Sequence, residues 1–413
     1  MRILVIHDEL YPNTSANARI VYRIVDELAK HSDIEITIMG CARTEEQFAP
    51  TYHGCNVVHS PWEKACKYQR MLQSLGKHKW LRYLLMPRSI LYRLMYPRWT
   101  PRDIEMMRWI FHHRRQFDVI LACSMPFYPI DIASRISKYI PVVNYYMEPF
   151  WGILPSYYPD DKTTCRQWDG AASRIIAPNL IKKTYVQHAD DNITAKIVVA
   201  EFPNIVARNI ASTADLPRLL NSKSINLAFA GKFYPKVRDP QYLFDIMDVI
   251  HSSNICLTMA GGFNGSFPRA FVDKYFSNKI PYLQYVGMLP PAKADAILLQ
   301  ADILVHIGNT NPMFLPSKIL DYISTGKPIL NLYQHDECPT LEILDAYPLK
   351  LNIRVGSPIT NELIQQIIEF CVENRGKQIP FEEIEPLYWQ YTPRFVGEIF
   401  YKMLLEAKNE KSK

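Results

Sequence analysis

From residue 225 to residue 374 the chain repeats one pattern. A short β-branched apolar run leads into a loop, and the loop into a stretch with apolar residues at helical spacing. The runs read as strands at 225–230, 255–260, 282–286, 303–307, 328–332 and 351–355. The intervening helices read at 239–251, 268–277, 292–299, 317–325 and 360–374. Few folds accept this alternation, because parallel neighbours need a crossover helix to bring the chain back. The pattern predicts an α/β class with a doubly wound parallel sheet. Such sheets take ligands at the carboxyl ends of their strands.

The N-terminal half repeats the theme less cleanly. Strands are expected at 2–7, 34–39, 117–123, 141–145, 174–177 and 196–201, with helices at 17–30, 130–139 and 179–188. At 413 residues, 48% of them apolar, the chain is long enough for two or three packed domains. The expected division is an N-terminal domain at 1–206, a polar linker at 207–224, a C-terminal domain at 225–390 and a final helix at 391–408. Eight cysteines occur without Cys-x-x-Cys or metal-type spacing, which reads as free thiols in a reducing compartment. The first residues form too short an apolar run for a signal peptide, and no segment approaches the ~18 apolar residues that span a bilayer. A cytoplasmic chain is expected, with peripheral membrane contact.

Residues 61–115 differ from the rest. They hold thirteen lysines and arginines against three acids, interleaved with tryptophan, tyrosine, phenylalanine and leucine. Basic charge with aromatic anchors suits an anionic membrane surface. A solvated insertion whose aromatics pack on the core fits the same composition. No nucleic-acid recognition motif accompanies the charge, so no nucleic-acid partner is expected.

The chemistry concentrates in loops after strands. The stretch Pro316-Ser317-Lys318-Ile319-Leu320-Asp321-Tyr322-Ile323-Ser324-Thr325-Gly326-Lys327-Pro328 reads as a short helix with both ends marked. Ser317 can cap its first turn, Gly326 can end it and Pro328 cannot continue it. Lys318 in the first turn opposes the helix dipole, a conflict that an anionic ligand would relieve. A plain ion pair between Lys318 and Asp321 is the alternative. After the strand at 225–230, Gly231 permits close backbone approach, and Lys232, Lys236 and Arg238 gather positive charge suited to a diphosphate. In the N-terminal half, Asn13 and Ser15 lie in the loop before the helix at 17–30, and Glu148 follows the strand at 141–145 among Tyr146, Pro149, Phe150 and Trp151. A carboxylate there could hold a hydroxyl or take a proton. No Asp-x-Asp pair occupies a loop, and no metal site is expected.

Pro-Ser-Lys-x-x-Asp-Tyr-x-x-x-Gly-Lys-Pro-Ile resembles the donor-site signature of the retaining GT-B glycosyltransferases whose members carry Pro-Ser-Lys-x-x-Glu-Tyr-x-x-x-Gly-x-Pro. The resemblance implies two Rossmann-like domains facing a cleft, and a sugar moved from a nucleoside diphosphate to an acceptor hydroxyl with retention. It implies that Lys318, Lys232 and Arg238 meet the diphosphate, with Gly231 and Ser317 beside them. Asp321, where relatives carry Glu, would bond the ribose hydroxyls. Gly287 would lie near the base and Asn309 would line the sugar pocket. Glu148 would serve the acceptor or the transferred sugar, with Asn13 and Ser15 on the acceptor side. The implied partners are a nucleotide sugar and a lipid-linked or saccharide acceptor, without a cofactor. Many relatives carry a second Glu eight residues before the helix acid, and Met313 stands there in this chain. A GT-B nucleotide-sugar epimerase or hydrolase, or a catalytically silent subunit that binds nucleotide or a partner, remains an alternative.

Overall fold

The computed structural model describes residues 1–9, 15–41, 51–59, 101–149, 151–154, 160–208, 223–263, 267–314 and 317–410. The chain forms two compact units. One comprises Met1–Pro203 with Pro393–Lys413, and the other Asn204–Thr392.

The first unit is built on strands Arg2–Glu9 (β1), Glu35–Cys41 (β2), Thr51–Tyr52 (β3), Cys55–His59 (β4), Val119–Cys123 (β5), Val142–Tyr145 (β6), Arg174–Ala177 (β7) and Ile197–Val199 (β8). Their order is β3-β4-β2-β1-β5-β6-β7-β8, and every pairing is parallel except the edge hairpin of β3 with β4. The sequence expectation missed that hairpin, because β3 is two residues long and carries no periodicity. The central strand β5 is buried at every position, as a parallel strand covered on both faces must be. The helix Ala16–Leu28 follows β1 and buries Ile20, Val21, Ile24, Val25 and Leu28 along one stripe. The last helix, Pro393–Glu410, belongs to this unit: Phe400 packs edge-on against Tyr145, and a Cβ on Gly397 would meet Glu27 Cβ at 2.5 Å. Most of the basic insertion expected at 61–115 falls outside the described residues. Its end is the helix Pro101–His113, where Ile104, Met106 and Ile110 are buried.

The second unit holds strands Ile225–Ala230 (β9), Ile255–Ala260 (β10), Leu283–Gly287 (β11), Ile303–Ile307 (β12), Ile329–Tyr333 (β13) and Lys350–Arg354 (β14). Their order is β11-β10-β9-β12-β13-β14, all parallel. This is the doubly wound order 3-2-1-4-5-6, whose direction of winding reverses between β9 and β12. Apolar side chains from β9, β10, β12 and β13 pack with Phe244, Met247 and Ile367 of the flanking helices into one core. The helix Lys318–Ile323 joins β12 to β13 and buries Ile319, Leu320 and Ile323. It ends at Gly326, whose φ is +72° and whose added Cβ would strike the Ile379 carbonyl oxygen at 2.0 Å. Glycine is required there twice over, for the left-handed turn and for the approach of a second backbone.

Candidate functional site

Reversal of winding leaves a crevice above the carboxyl ends of β9 and β12. The loops that follow these two strands are tied together there. Arg238 Nη2 donates to Asn309 Oδ1 at 2.9 Å, Thr310 N donates to the Val237 carbonyl at 3.0 Å, and Thr310 Oγ1 donates to the Lys236 carbonyl at 3.0 Å. Arg238 is the cation in this arrangement. No carboxylate among the described residues pairs with it, and its buried Nε has no hydrogen-bond partner. Burial pulls its basicity below the ordinary guanidinium value, with Tyr322 and Tyr234 opposing that shift. A desolvated guanidinium without a counter-ion among the described residues carries a cost that one neutral hydrogen bond offsets only in part.

Three glycines shape the floor. Gly231, Gly261 and Gly287 stand at the ends of adjacent strands. Gly231 N donates to the Ala260 carbonyl at 2.9 Å and Gly261 N to the Gly287 carbonyl at 2.7 Å. A Cβ on Gly231 would sit 3.0 Å from the Phe229 ring and 3.8 Å from Arg238 Nη1, so glycine keeps the space beside the guanidinium open. Gly261, at φ +131°, would place a Cβ 1.8 Å from the Gly231 carbonyl oxygen. Gly287, at φ +73°, has open space where its Cβ would be, two strands from Arg238. Lys232 is exposed, and its Cγ would lie 3.9 Å from a Cβ on Gly262. Lys236 is exposed at φ +65°, while Arg238 is half-buried and bonded to Asn309.

The signature helix meets the end of β9 through Tyr322. The Ala230 N–H donates to Tyr322 Oη at 3.0 Å, and the phenol is fully buried. The sequence reading gave this tyrosine no role. Beside it, His306 of β12 is buried with Nδ1 at 2.8 Å from Asn331 Oδ1, and burial lowers its pKa to about 3. The imidazole is therefore neutral at physiological pH. Ser317 does not cap the helix with its side chain: its backbone is already in the right-handed helical region, and only its carbonyl bonds forward, to Leu320 N at 3.2 Å. The expectation of a serine cap is corrected accordingly, since capping needs an extended backbone. Lys318 is half-buried at the first turn.

Asp321 is buried rather than solvated. Its Oδ1 accepts from Arg208 Nη2 at 2.5 Å, and Arg208 Nη1 reaches Asp295 Oδ2 at 3.0 Å. Burial works against the charged guanidinium of Arg208, and the two carboxylates outweigh it, so its pKa is raised. Arg208 went unnoticed in the sequence because it stands 113 residues from Asp321, in a polar stretch without periodicity. A cavity of about 300 Å³ opens on the other flank of the 236–239 loop, lined by Lys236, Asp239, Tyr242, Asp245 and Thr310. Its two carboxylates make it a poor home for a phosphate.

The remaining candidates belong to the first unit. Ser15 caps the helix Ala16–Leu28, its Oγ accepting from Ala18 N at 3.1 Å. Asn13 lies outside the described residues. Glu148 follows β6, half-buried, with no hydrogen-bond or ion-pair partner among the described residues, and burial raises its pKa. The loop before it is anchored by Ser124 Oγ, which accepts from Met147 N at 2.9 Å, and by Tyr146 Oη, which donates to the buried Asp169 at 2.8 Å. No described residues cluster as three or more potential metal ligands, and no described helix is long and apolar enough to cross a membrane.

No family model matches the chain, and no curated protein matches it in sequence. Solved structures do match. HepE from Anabaena, in complex with UDP, aligns over 98% of this chain and 100% of its own at 13% identity, with a TM-score of 0.62. The lipopolysaccharide outer core galactosyltransferase WaaB aligns over 98% and 99% at 12% identity, with a TM-score of 0.58. A Listeria monocytogenes protein provisionally assigned as a UDP-N-acetylglucosamine 2-epimerase aligns over 96% and 94% at 13% identity, with a TM-score of 0.58. With two parallel α/β sheets in one chain and likeness along its whole length, this protein has the GT-B fold.

Proposed function

We propose that this chain is a glycosyltransferase that moves a sugar from a nucleoside diphosphate to an acceptor hydroxyl, with retention at the anomeric carbon. The observation that carries the reading is Arg238: a half-buried guanidinium that no carboxylate among the described residues pairs with, at the point where a doubly wound sheet takes its ligand. A diphosphate supplies the missing counter-charge, and a charge-assisted pair in a low-dielectric site is strong. Lys232 and Lys318 bring two further cations, and Gly231 leaves room for the phosphates. Asp321 takes the ribose hydroxyls, Gly287 lies toward the base and Asn309 lines the sugar pocket.

The chemistry asked of these groups is charge stabilisation. As the glycosidic carbon–oxygen bond breaks, negative charge grows on the leaving diphosphate, and Arg238 with Lys232 neutralises it. The acceptor oxygen attacks from the face that the leaving group vacates, and its proton passes to a leaving phosphate oxygen. The new glycosidic bond and a nucleoside diphosphate result. Glu148, its carboxyl biased toward the protonated form by burial, offers a hydrogen bond on the acceptor side. The acceptor is a lipid-linked or surface saccharide, a reading drawn from the basic, aromatic composition of residues 61–115. It agrees with WaaB, which is named for work on a lipopolysaccharide core.

UDP is the first probe, because HepE was solved with it. Thermal stability is measured with UDP, GDP, ADP, CMP and a panel of sugar nucleotides, on the wild type and on Arg238→Ala. A ligand at 100 times its dissociation constant stabilises by about 2.7 kcal/mol. A nucleoside diphosphate that shifts the wild type and not Arg238→Ala supports the donor site. No shift with any nucleotide overturns it. Release of free nucleotide or an epimerised sugar without acceptor would favour the epimerase or hydrolase reading, and binding without turnover the silent subunit.

A further inference from the structure

We propose that Arg208 is a positioning residue for ribose recognition: it holds the Asp321 carboxylate where the hydroxyls of a bound ribonucleotide meet it. The assignment rests on the donor-site reading above. Residues 204–208 lie along the signature helix from end to end. Asn204 Nδ2 donates to the Ser317 carbonyl at 3.4 Å, Ser324 Oγ donates to the Asn204 carbonyl at 3.0 Å, and Val206 N donates to Ser324 Oγ at 3.4 Å. The Ile205 N–H is fixed in turn by the Tyr391 carbonyl at 3.0 Å. Arg208 ends this strap, and its side chain is 7% exposed. Its two terminal nitrogens divide between carboxylates on different helices, Asp321 on Lys318–Ile323 and Asp295 on Pro291–Gln300. A planar guanidinium fixes direction as well as charge, which a lysine ammonium does not. An ionised carboxylate offers about four lone-pair directions, more than the bond from Arg208 fills. Asp is one methylene shorter than the Glu of the signature, so its oxygens have less freedom to find the ribose. A rigid partner behind it compensates by removing the search.

The test compares UDP with 2′-deoxy-UDP by calorimetry on the wild type, Arg208→Lys and Asp321→Asn. The wild type is expected to favour the ribonucleotide by about tenfold, the worth of one hydrogen bond to a charged group. Arg208→Lys keeps the buried positive charge but loses the fork, so it should fold and should lose most of that preference, as Asp321→Asn does. Binding of 2′-deoxy-UDP should stay within about twofold of wild type in both variants, which a general structural defect would not allow. If Arg208→Lys fails to fold, Arg208→Met combined with Asp295→Asn leaves a single carboxylate at the site and answers the same question. A folded Arg208 variant that retains full discrimination overturns the positioning role while leaving the donor site standing. A wild type that binds both nucleotides equally also overturns it. A wild type that binds no nucleoside diphosphate overturns the donor site and this assignment together.

Discussion

Arg238 Nη2 lies 2.9 Å from Asn309 Oδ1, and that bond crosses the line where the second sheet reverses its winding. One residue follows β9 and the other follows β12. A neutral amide is the wrong partner to balance a half-buried guanidinium, yet it is the side-chain acceptor Arg238 meets among the described residues. The arrangement aims the cation while leaving its charge to be met from outside.

Removing that charge should separate stability from binding. Arg238→Met deletes an uncompensated half-buried cation and keeps most of the side-chain volume. Replacing buried charge by apolar side chains is often neutral or stabilising, by about 1–4 kcal/mol. Unliganded Arg238→Met should therefore unfold at the same denaturant concentration as the wild type or a higher one. The stabilisation by UDP should disappear in the same protein. A ligand-free variant markedly weaker than wild type would mean that Arg238 serves the fold and not a ligand.

Gly261→Ala should damage the site from a neighbouring strand. The new methyl would start 1.8 Å from the Gly231 carbonyl oxygen, at a φ of +131° that side chains rarely adopt. Either the β9 loop or the β10 loop must move. Strain of this kind costs on the order of 1–3 kcal/mol. Because Gly231 carries the space beside Arg238, nucleotide affinity should fall together with stability. Gly287→Ala is the control: its added Cβ meets nothing within 4 Å, so only the φ penalty applies and the loss of stability should be smaller.

The alternation of strands and helices in the second unit was legible because its strands are buried on both faces. Continuous runs such as Ile303-Leu304-Val305-His306-Ile307 need no long-range information to be recognised. The loop ends were legible too, since Gly231 and Arg238 lie within eight residues of one strand exit. What stayed hidden depends on contacts far apart in sequence. Arg208 looks like any polar linker residue until the fold sets it against Asp321 and Asp295. Tyr322 reads as core, and only the register of β9 against the signature helix shows that its hydroxyl binds the Ala230 backbone. Lys236 and Arg238 are equivalent by composition; in the fold Lys236 is exposed, while Arg238 is half-buried and reaches Asn309.

Tyr322→Phe isolates the hydroxyl. The ring stays buried, but the Ala230 N–H loses the oxygen it donates to at 3.0 Å. An unsatisfied buried backbone donor costs about 1–3 kcal/mol. The expected result is that loss in denaturant unfolding, with the change concentrated in the end of β9: amide exchange at Ala230 and Gly231 should quicken while β13 keeps its protection. Uniform acceleration across the sheet would argue against the local role.

Glu148 gives the protein a pH dependence whose sign follows from its burial. Its carboxyl has a pKa above the ordinary 4.5, because burial disfavours the charged form. The folded chain thus holds this proton at pH values where the unfolded chain releases it. The resulting stability is fully present below the unfolded value and is lost as pH rises through the folded one. Glu148→Gln mimics the protonated state and does not titrate. In a series from about pH 4 to pH 8 it should match the wild type at the acid end and exceed it at the alkaline end, with other titrating groups such as His306 cancelling in the difference. A difference that does not change with pH would refute the burial argument. Turnover tests the hydrogen bond separately. Glu148→Gln keeps a donor on the acceptor side, while Glu148→Ala removes it and should lower kcat/KM by about tenfold, the worth of one hydrogen bond. A Glu148→Ala variant with full activity would remove the side chain from the reaction.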